Sequence, residues 1–381
     1  MKKVLIAPDS FKGCLSAEQI SEVIGQAVHA VCPDCQICLL PIADGGEGTT
    51  TAIVGSTSGR LMNVEVHDPL MRPIKAVYGI TGGGKTAVLD LASASGLPLL
   101  SPNERNPWLT TTYGTGELLL TLLQRETGIE QVIIGLGGSA THDGGVGLLK
   151  ALGYRFLDGK GEDVPLGGQG LKHIRHIVTE NRYKEMDGCH FNLACDVTSP
   201  LCGLQGAAFI FSPQKGADEM MVKELDEGLH SFATVIKEKF GYSINEIPGS
   251  GAAGGAGGVL SVLLPAQIHS GIDCIFDAVG FDQALIDSDL VITGEGCIDI
   301  QTLSGKVLSG VSEHARTFGV PVLAVAGKVC LDPVSIQNAG FMDALAITPP
   351  EMPLEKALLP NVACHHLYET LKDYLKKEMK S

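Results

Sequence analysis

The chain has 381 residues, 44% of them hydrophobic and 19% charged, which is long enough for two domains with large cores. Its formal net charge is −15 and no basic run occurs, so nucleic acid is disfavoured as a partner. No apolar stretch approaches the ~20 residues of a membrane span. Residues 4–7 are too few for the apolar part of a signal peptide. We therefore expect a soluble cytoplasmic protein.

The first part of the chain alternates strand and helix patterns. Residues 4–7 predict a strand, and the capping box Ser16 to Gln19 predicts the start of an amphipathic helix. Residues 37–41 predict a second strand, and a short helix is expected from Thr49. Ligand groups then follow the carboxyl ends of both strands, which is where open parallel sheets bind ligands.

The pattern changes near Arg60, where three short strands with antiparallel pairing are predicted over residues 61–67, 75–79 and 86–92. Helix and strand patterns then alternate again up to a C-terminal helix. The predicted fold class is α/β, with two α/β domains and an active site in the cleft between them. A Rossmann-like domain would comprise residues 1–68 and 286–381, with a second α/β domain inserted at residues 69–285.

Four glycine-rich turns with acids or hydroxyls punctuate the chain, at residues 44–49, 135–145, 249–258 and 294–299. Glycine lets a backbone approach a ligand closely, and a glycine turn before a helix directs free N–H groups at anions. Carboxylates beside such turns are suitable ligands for Mg²⁺. The pattern predicts an enzyme that handles nucleotide phosphates.

One segment matches the P-loop pattern, at Gly79 to Thr86. A P-loop needs a helix after its lysine, so that the helix N-terminus faces the phosphates. Residues 87–91 have a strand pattern instead, so we interpret the segment as a hairpin tip.

A second segment resembles a dinucleotide-binding fingerprint. Gly135, Gly137 and Ala140 have its spacing, and Asp158 follows at about the expected 20 residues. An NAD-dependent oxidoreductase acting on a small hydroxy acid is therefore the alternative function, although residues 141–145 interrupt the helix that should begin there. A non-catalytic nucleotide-sensing module is a third hypothesis.

Asp196 follows an apparent strand and suits a base for a hydroxyl or a Mg²⁺ ligand. The alternative interpretation is a helix N-cap or turn residue, because Thr198, Ser199 and Pro200 come next. Lys12 and Lys215 lie in glycine-bounded turns, where a lysine is less often a plain surface charge.

Eight stretches together resemble the bacterial glycerate kinases over essentially the whole chain: residues 7–13, 41–49, 91–97, 113–117, 135–147, 195–201, 214–216 and 294–306. Singly each stretch is weak, and jointly they are specific. The resemblance implies two α/β domains, Mg²⁺, and phosphate transfer from ATP to D-glycerate, with 2-phosphoglycerate favoured over 3-phosphoglycerate as the product. The oligomeric state, monomer or homodimer, stays open.

We combine the resemblance with the residue patterns to assign candidate roles. Lys12 and Lys215 are expected to neutralise phosphate charge, and Asp196 to accept or orient the substrate hydroxyl. Mg²⁺ is expected on some of Asp44, Glu47 and Asp299, with Asp44 also a catalytic candidate. The remaining candidates for substrate or nucleotide binding are Ser10, Gly45, Gly46, Glu47, Gly137, Gly138, Ser139, Asp143, Gln214, Gly294 and Glu295.

Overall fold

The computed structural model describes residues 1–11, 13–42, 48–303 and 307–378. The chain divides into two units. The first, the terminal unit, comprises Met1–Glu47 and Ile275–Ser381, and the second, the central unit, comprises Gly48–Cys274. In the described ranges, no helix is both long enough and apolar enough to cross a membrane.

The strands, in chain order, are β1 (Lys3–Ile6), β2 (Gln36–Leu39), β3 (Arg60–His67), β4 (Pro73–Ile80), β5 (Thr86–Asp90), β6 (Gln131–Gly135), β7 (Arg155–Leu157), β8 (His176–Val178), β9 (His190–Ala194), β10 (Gln267–His269), β11 (Leu290–Ile298), β12 (Val322–Val329) and β13 (Asp343–Ala346). The α-helices are α1 (Ala17–Val31), α2 (Thr49–Ser56), α3 (Ala92–Ser95), α4 (Tyr113–Arg125), α5 (Val146–Ala151), α6 (Ala207–Phe211), α7 (Glu219–Phe240), α8 (Ala256–Leu263), α9 (Gly271–Val279), α10 (Phe281–Leu285), α11 (Val307–Thr317), α12 (Pro333–Asn338), α13 (Leu354–Ala357) and α14 (Pro360–Glu378).

The terminal unit is built on a parallel sheet in the order β13-β12-β11-β1-β2. Val4, Ile292 and Leu323 on its inner strands are fully buried, whereas Leu39 on the edge strand β2 is exposed. The capping box at the start of α1 is confirmed, since Ser16 accepts from the Gln19 N–H and the Gln19 side chain accepts from the Ser16 N–H. The chain runs from β1 to β2 on one side of β1, and β11 pairs with β1 on the other. The order of strands therefore reverses at β1, a topological switch point.

The interpretation of residues 294–299 as a glycine-rich turn is wrong, because β11 continues to Ile298 and pairs with β12 along this stretch. A side chain at Gly294 would place its Cβ 2.6 Å from the Val325 carbonyl oxygen, so glycine is required for close strand packing. The extension carries Glu295 and Asp299 beyond the point where β1 ends.

The central unit is built on a mixed sheet in the order β10-β9-β6-β5-β4-β3. The predicted antiparallel pairing is confirmed for β3 with β4 and for β4 with β5, whereas β5, β6, β9 and β10 are parallel. The P-loop-like segment is a hairpin between β4 and β5, as predicted, and Lys85 in that turn pairs with Glu130 at 2.7 Å on the surface.

The boundaries between the two units lie at 47/48 and 274/275, whereas the predicted ones were at 68/69 and 285/286. The strand β3 belongs to the central sheet because it pairs along its whole length with β4. At the other boundary, Phe276 stacks on Phe281 with ring centroids 4.2 Å apart, and both rings contact His314 of α11, which places these residues with the terminal unit.

Candidate functional site

The carboxyl ends of β1, β11, β12 and β13 in the terminal unit border one cavity of about 890 Å³. Asp9 and Ser10 follow β1, Glu295 and Asp299 come from the extended β11 and the residue after it, and Ile347 follows β13. Of the candidates from the sequence, Ser10, Glu295 and Asp299 line this cavity, whereas Gly294 is buried in β11. Asp9 is a lining carboxylate that the sequence analysis did not assign.

Hydrogen bonds order the polar end of this cavity. The Asp9 N–H donates to the Gly294 carbonyl at 2.8 Å, and the Asp9 carboxylate accepts from the Ser10 N–H at 2.6 Å. The buried Thr302 hydroxyl donates to Glu295 and accepts from the Asp299 N–H. These bonds hold the loop after β11 against the strand and give the carboxylates of Asp9 and Glu295 defined partners.

The part of the cavity next to β13 is apolar. Except for Thr348, its wall is made by apolar residues that follow β13, lie on α13 or come just after it: Ile347, Pro349, Pro350, Met352, Leu354, Ala357 and Leu358. β13 is the edge strand and β1 is an inner strand of the sheet. The cavity therefore changes from carboxylate-bearing at β1 and β11 to apolar at the sheet edge.

In the central unit, the turn after β6 offers backbone donors. Gly137 and Gly138 are exposed, and Gly138 has a φ of +69°, which favours glycine. Among the described residues, no hydrogen bond engages the N–H groups of Gly137, Gly138 or Ser139. Successive free N–H groups in a turn form a concave site for an anion.

Lys215 lies behind this turn and is only 2% exposed. Its ammonium donates to the Ser139 hydroxyl oxygen at 2.8 Å and to the Thr141 carbonyl at 2.7 Å. Burial lowers the pKa of Lys215 to about 7, although the charge of Asp143 acts in the opposite direction. The lysine turn needs Gly216, because a Cβ there would lie 2.2 Å from the Arg105 carbonyl oxygen. Gln214, beside it, is exposed.

Asp143 is fully buried, and this geometry opposes the expected role in ligand binding. Its carboxylate accepts from the Thr112 N–H at 2.8 Å, from the Thr111 hydroxyl at 3.0 Å and from the N–H groups of Gly145 and Gly147. We assign Asp143 to holding residues 111–112 against the start of α5. The sequence could not show this, because the partners lie on a different element.

The neighbouring His142 is also fully buried, and neither ring nitrogen has a hydrogen-bond partner among the described residues. Burial, with a smaller contribution from the positive charge of Lys215, lowers the pKa of His142 to about 3. The imidazole is therefore neutral at physiological pH.

Asp196 lies just after β9 and remains exposed. Its carboxylate accepts from the Gly271 N–H at 2.7 Å, at the start of α9. The helix-capping alternative is thus realised on a distant helix rather than on the residues that follow Asp196. The pairing of Gly135 with Ala194 places Gly137 and Asp196 two residues beyond equivalent positions of adjacent parallel strands. They lie at the same edge of the sheet.

Asp90 is a residue that the sequence analysis missed. It ends β5, and its carboxylate accepts from the N–H groups of Thr49 and Thr50, each at 3.1 Å, which fixes the start of α2. The available signal was weak, because Asp90 lies inside the predicted strand 86–92 and only the structure shows that the strand ends there. Five candidates lie outside the described residues: Lys12, Asp44, Gly45, Gly46 and Glu47.

The dinucleotide fingerprint is not realised. The helix α5 begins only at Val146, well beyond the glycines that follow β6, whereas the fingerprint needs a helix that opens at them. Asp158 lies in an exposed turn after β7, which pairs antiparallel with β8. Nothing in this geometry supports the oxidoreductase alternative.

The carboxylates of the cavity suit a Mg²⁺ ion whose other ligands would be waters and the phosphates of a substrate. Within the described ranges, no three His, Cys, Asp or Glu side chains converge as a finished metal site. Mg²⁺ typically takes one or two carboxylates, retains waters and binds substrate phosphates. The separate carboxylates of Asp9, Glu295 and Asp299 fit that mode.

Comparisons of the sequence and of the structure with known proteins agree on one family. The model of the Glycerate kinase family matches residues 4–377. A Glycerate kinase from Bacillus subtilis is 41% identical over 97% of this chain and 96% of its own length. A Glycerate 2-kinase from Escherichia coli is 42% identical over 90% of this chain and 89% of its own. A crystal structure from Salmonella typhimurium LT2, provisionally named glycerate kinase 2, superposes with a TM-score of 0.84 at 40% identity, and covers 100% of this chain and 98% of that one.

Proposed function

Because the chain belongs to the glycerate kinase family and is a kinase, we propose that it transfers the γ-phosphate of ATP to D-glycerate in a Mg²⁺-dependent reaction. We propose 2-phosphoglycerate as the product, in line with the name of the Escherichia coli relative. The enzyme would work in the cytoplasm on small molecules, as the sequence analysis expects. Phosphate transfer depends mainly on positioning the two substrates and on neutralising the charge of the phosphates, and residues of the enzyme must supply both.

The observation that carries the proposal is the set of free N–H groups at Gly137, Gly138 and Ser139, with the Lys215 ammonium behind them. An anion at this turn would receive several backbone donors. Because Ser139 accepts from Lys215, its own hydroxyl proton is free to point at a phosphate oxygen. Lys215 is then a positioning residue: it fixes Ser139 and adds positive charge near the turn, without touching the ligand itself.

Asp196 is the candidate for the group that orients the glycerate hydroxyl and accepts its proton. It is exposed and lies at the same sheet edge as the glycine turn. The Gly271 N–H fixes one carboxylate oxygen at 2.7 Å, so the carboxylate has a defined direction. Geometry of this kind suits a general base, which must be held within hydrogen-bond reach of the proton it removes.

Mg²⁺ would be held by one or two of Asp9, Glu295 and Asp299, together with the predicted ligands Asp44 and Glu47. The bound ion would neutralise phosphate charge and hold the phosphate chain in one orientation. Lys12 is proposed to add positive charge to the same function. These carboxylates would orient the ion, and hydrogen bonds from the Ser10 N–H and the Thr302 hydroxyl hold those of Asp9 and Glu295.

The test is release of ADP from Mg²⁺ and ATP, with and without D-glycerate. We expect release to depend on both Mg²⁺ and D-glycerate. The product is then offered to enolase, which uses 2-phosphoglycerate but not 3-phosphoglycerate. Equal ADP release with and without D-glycerate would overturn the kinase proposal. A product that enolase consumes only after a mutase is added would overturn the position proposed for the phosphate.

A further inference from the structure

The cavity of the terminal unit lies where an open parallel sheet binds its ligand. It borders the carboxyl ends of β1, β11, β12 and β13, beside the switch point at β1. Its volume of about 890 Å³ is within the range of small-molecule sites. A ligand of nucleotide size therefore fits, whereas D-glycerate, with three carbons, would leave most of it unfilled.

The lining divides the cavity chemically. Carboxylates come from the ends of β1 and β11 and a lysine, Lys328, from β12. The wall next to β13 is mainly apolar, among its side chains Pro350, Met352 and Leu354, with Thr348 as a polar member. Binding a flat ring against an aliphatic wall is favourable, because apolar surface of both is removed from water. Binding a small charged acid against the same wall is unfavourable, because the acid buries little apolar surface. The carboxylates repel bare phosphates but hold them through Mg²⁺.

We propose that this cavity binds the adenosine part of Mg·ATP, with the base against the wall made by residues 347–358 and the phosphate chain directed toward Glu295 and Asp299. The inference rests on the proposed function, since it assigns one of the two substrates of that reaction to one place. D-glycerate is thereby excluded from the apolar wall.

Two lining residues allow a direct test. Ala357 faces the cavity from α13, and a tryptophan there would fill the space meant for the base. Leu354 lines the same wall and is 72% exposed, so its replacement by serine does not disturb a core. The matched control is Leu204→Ser, because Leu204 is 77% exposed and lies in the central unit.

The measurement is calorimetric titration with Mg·ADP, together with the KM for each substrate. We expect Ala357→Trp to weaken Mg·ADP binding by at least ~30-fold and Leu354→Ser by about tenfold, with the KM for D-glycerate changed less than about threefold. Leu204→Ser should bind like the wild type. Unchanged Mg·ADP binding in folded Leu354→Ser and Ala357→Trp would overturn the inference. A raised KM for D-glycerate alone would also overturn it.

A thiol on the cavity wall gives a second readout that needs no substitution. Cys297 is exposed and lines the cavity, with its Sγ 3.9 Å from the Sγ of Cys330. We expect Mg·ADP to slow alkylation of Cys297 by iodoacetamide at least about fivefold and D-glycerate to leave it unchanged, measured on the peptide by mass spectrometry. Cys189 of the central unit is the internal control. Protection by D-glycerate, or none by Mg·ADP, would overturn the inference.

The two proposals fail separately. If the wild type phosphorylates D-glycerate and the cavity variants bind Mg·ADP as tightly as the wild type does, only the nucleoside assignment is overturned. A wild type that binds Mg·ADP in the cavity but releases no ADP in response to D-glycerate would overturn only the proposed function.

Discussion

The carboxyl ends of the parallel strands form very different surfaces in the two units. In the terminal unit, the edge opens into a cavity with an apolar wall and three separate carboxylates. In the central unit, the edge is a tight glycine turn supported by a fully buried ammonium and a fully buried carboxylate. Open sheets typically bind ligands at the carboxyl ends of their strands, and of the two edges one offers a cavity and the other oriented charge.

The contrast has a physical reason. A buried ammonium is costly unless it is bonded, and Lys215 meets this need through the Ser139 hydroxyl oxygen and the Thr141 carbonyl. Groups held in this way need not reorganise when charge develops, which is what phosphate transfer requires. Recognition of a large flat ring requires space instead. We therefore expect substitutions at the central edge to lower rate, and substitutions at the terminal cavity to lower affinity.

Asp196→Asn should give the largest loss and tests whether the central edge acts in the reaction. We expect kcat to fall by ~10²–10⁴-fold with little change in the KM for D-glycerate, because loss of a general base acts mainly on the transition state. The amide oxygen of asparagine can still accept from the Gly271 N–H, so folding should be retained. Steady-state kinetics and the melting temperature are measured together.

Asp218→Asn is the matched control, because Asp218 caps α7 through the Met221 N–H and has no proposed part in the reaction. It should cost about 1 kcal/mol of stability or less and leave kcat unchanged. A folded Asp196→Asn enzyme with normal kcat would return Asp196 to a purely capping role.

Lys215→Met tests the buried charge and should lower kcat/KM by about 10²-fold, the cost typical of losing one preorganised electrostatic contact. Because the pKa of Lys215 is about 7, the ammonium is present below pH 7 and lost above it. The wild-type kcat/KM should therefore fall as the pH rises through about 7, and the profile of the variant should lack this step.

Lys239→Met is the control for the loss of a lysine elsewhere in the central unit, since Lys239 is exposed, donates to the Ile177 carbonyl on β8 and has its ammonium 5.6 Å from the centre of the Phe240 ring. It should keep both the rate and the pH profile of the wild type. The same pH step in Lys215→Met and in the wild type would show that another group causes it.

His142→Phe tests whether the buried, neutral imidazole of His142 lowers the free energy of unfolding as the pH falls. The folded pKa of His142, about 3, is below the unfolded value of 6.5, so only the unfolded state gains the proton as the pH falls. The wild type should lose about 3 kcal/mol more than the variant between pH 6.5 and pH 4, from denaturant unfolding at each pH. Parallel stability curves would contradict the prediction.

Lys85→Ala should have the smallest effect and marks a part of the central unit outside the site. Lys85 lies on the β4–β5 hairpin and contacts Glu130 in an exposed pair, which typically contributes ~1 kcal/mol or less. Nucleotide affinity should stay within a few-fold of the wild type. A loss of ~100-fold, about 2.7 kcal/mol, would show that this lysine does contact phosphate.

Local sequence signals predicted much of the fold. The capping box at Ser16 and the antiparallel strands β3 to β5 formed as expected, because each depends on residues close in the chain. The hairpin at Gly79 to Thr86 was recognised for the same reason: the strand pattern after Lys85 excludes a helix there. Ser10 and Asp196 do follow strands, β1 and β9, as their positions in the sequence indicate, and their roles in the site stay predictions.

Other features needed partners that are distant in the chain. Residues 294–298 have the composition of a turn, but pairing with β12 makes them a strand. The boundaries at residues 68/69 and 285/286 were misplaced because the pairing of β3 and the stacking of Phe276 on Phe281 cannot be read from local pattern.

By itself, the sequence determined the α/β class, the resemblance to glycerate kinases and the positions of the glycine-rich segments, because these depend on periodicity, spacing and motif. Only the tertiary structure decided which of the polar groups are buried and which are exposed. It buried Asp143 and Lys215, left the N–H groups of Gly137 to Ser139 without a partner in the described part of the chain, and opened a cavity beside Glu295. Burial and hydrogen-bond partners arise from contacts between residues far apart in the chain, and these contacts set which charges persist and which atoms a substrate can reach.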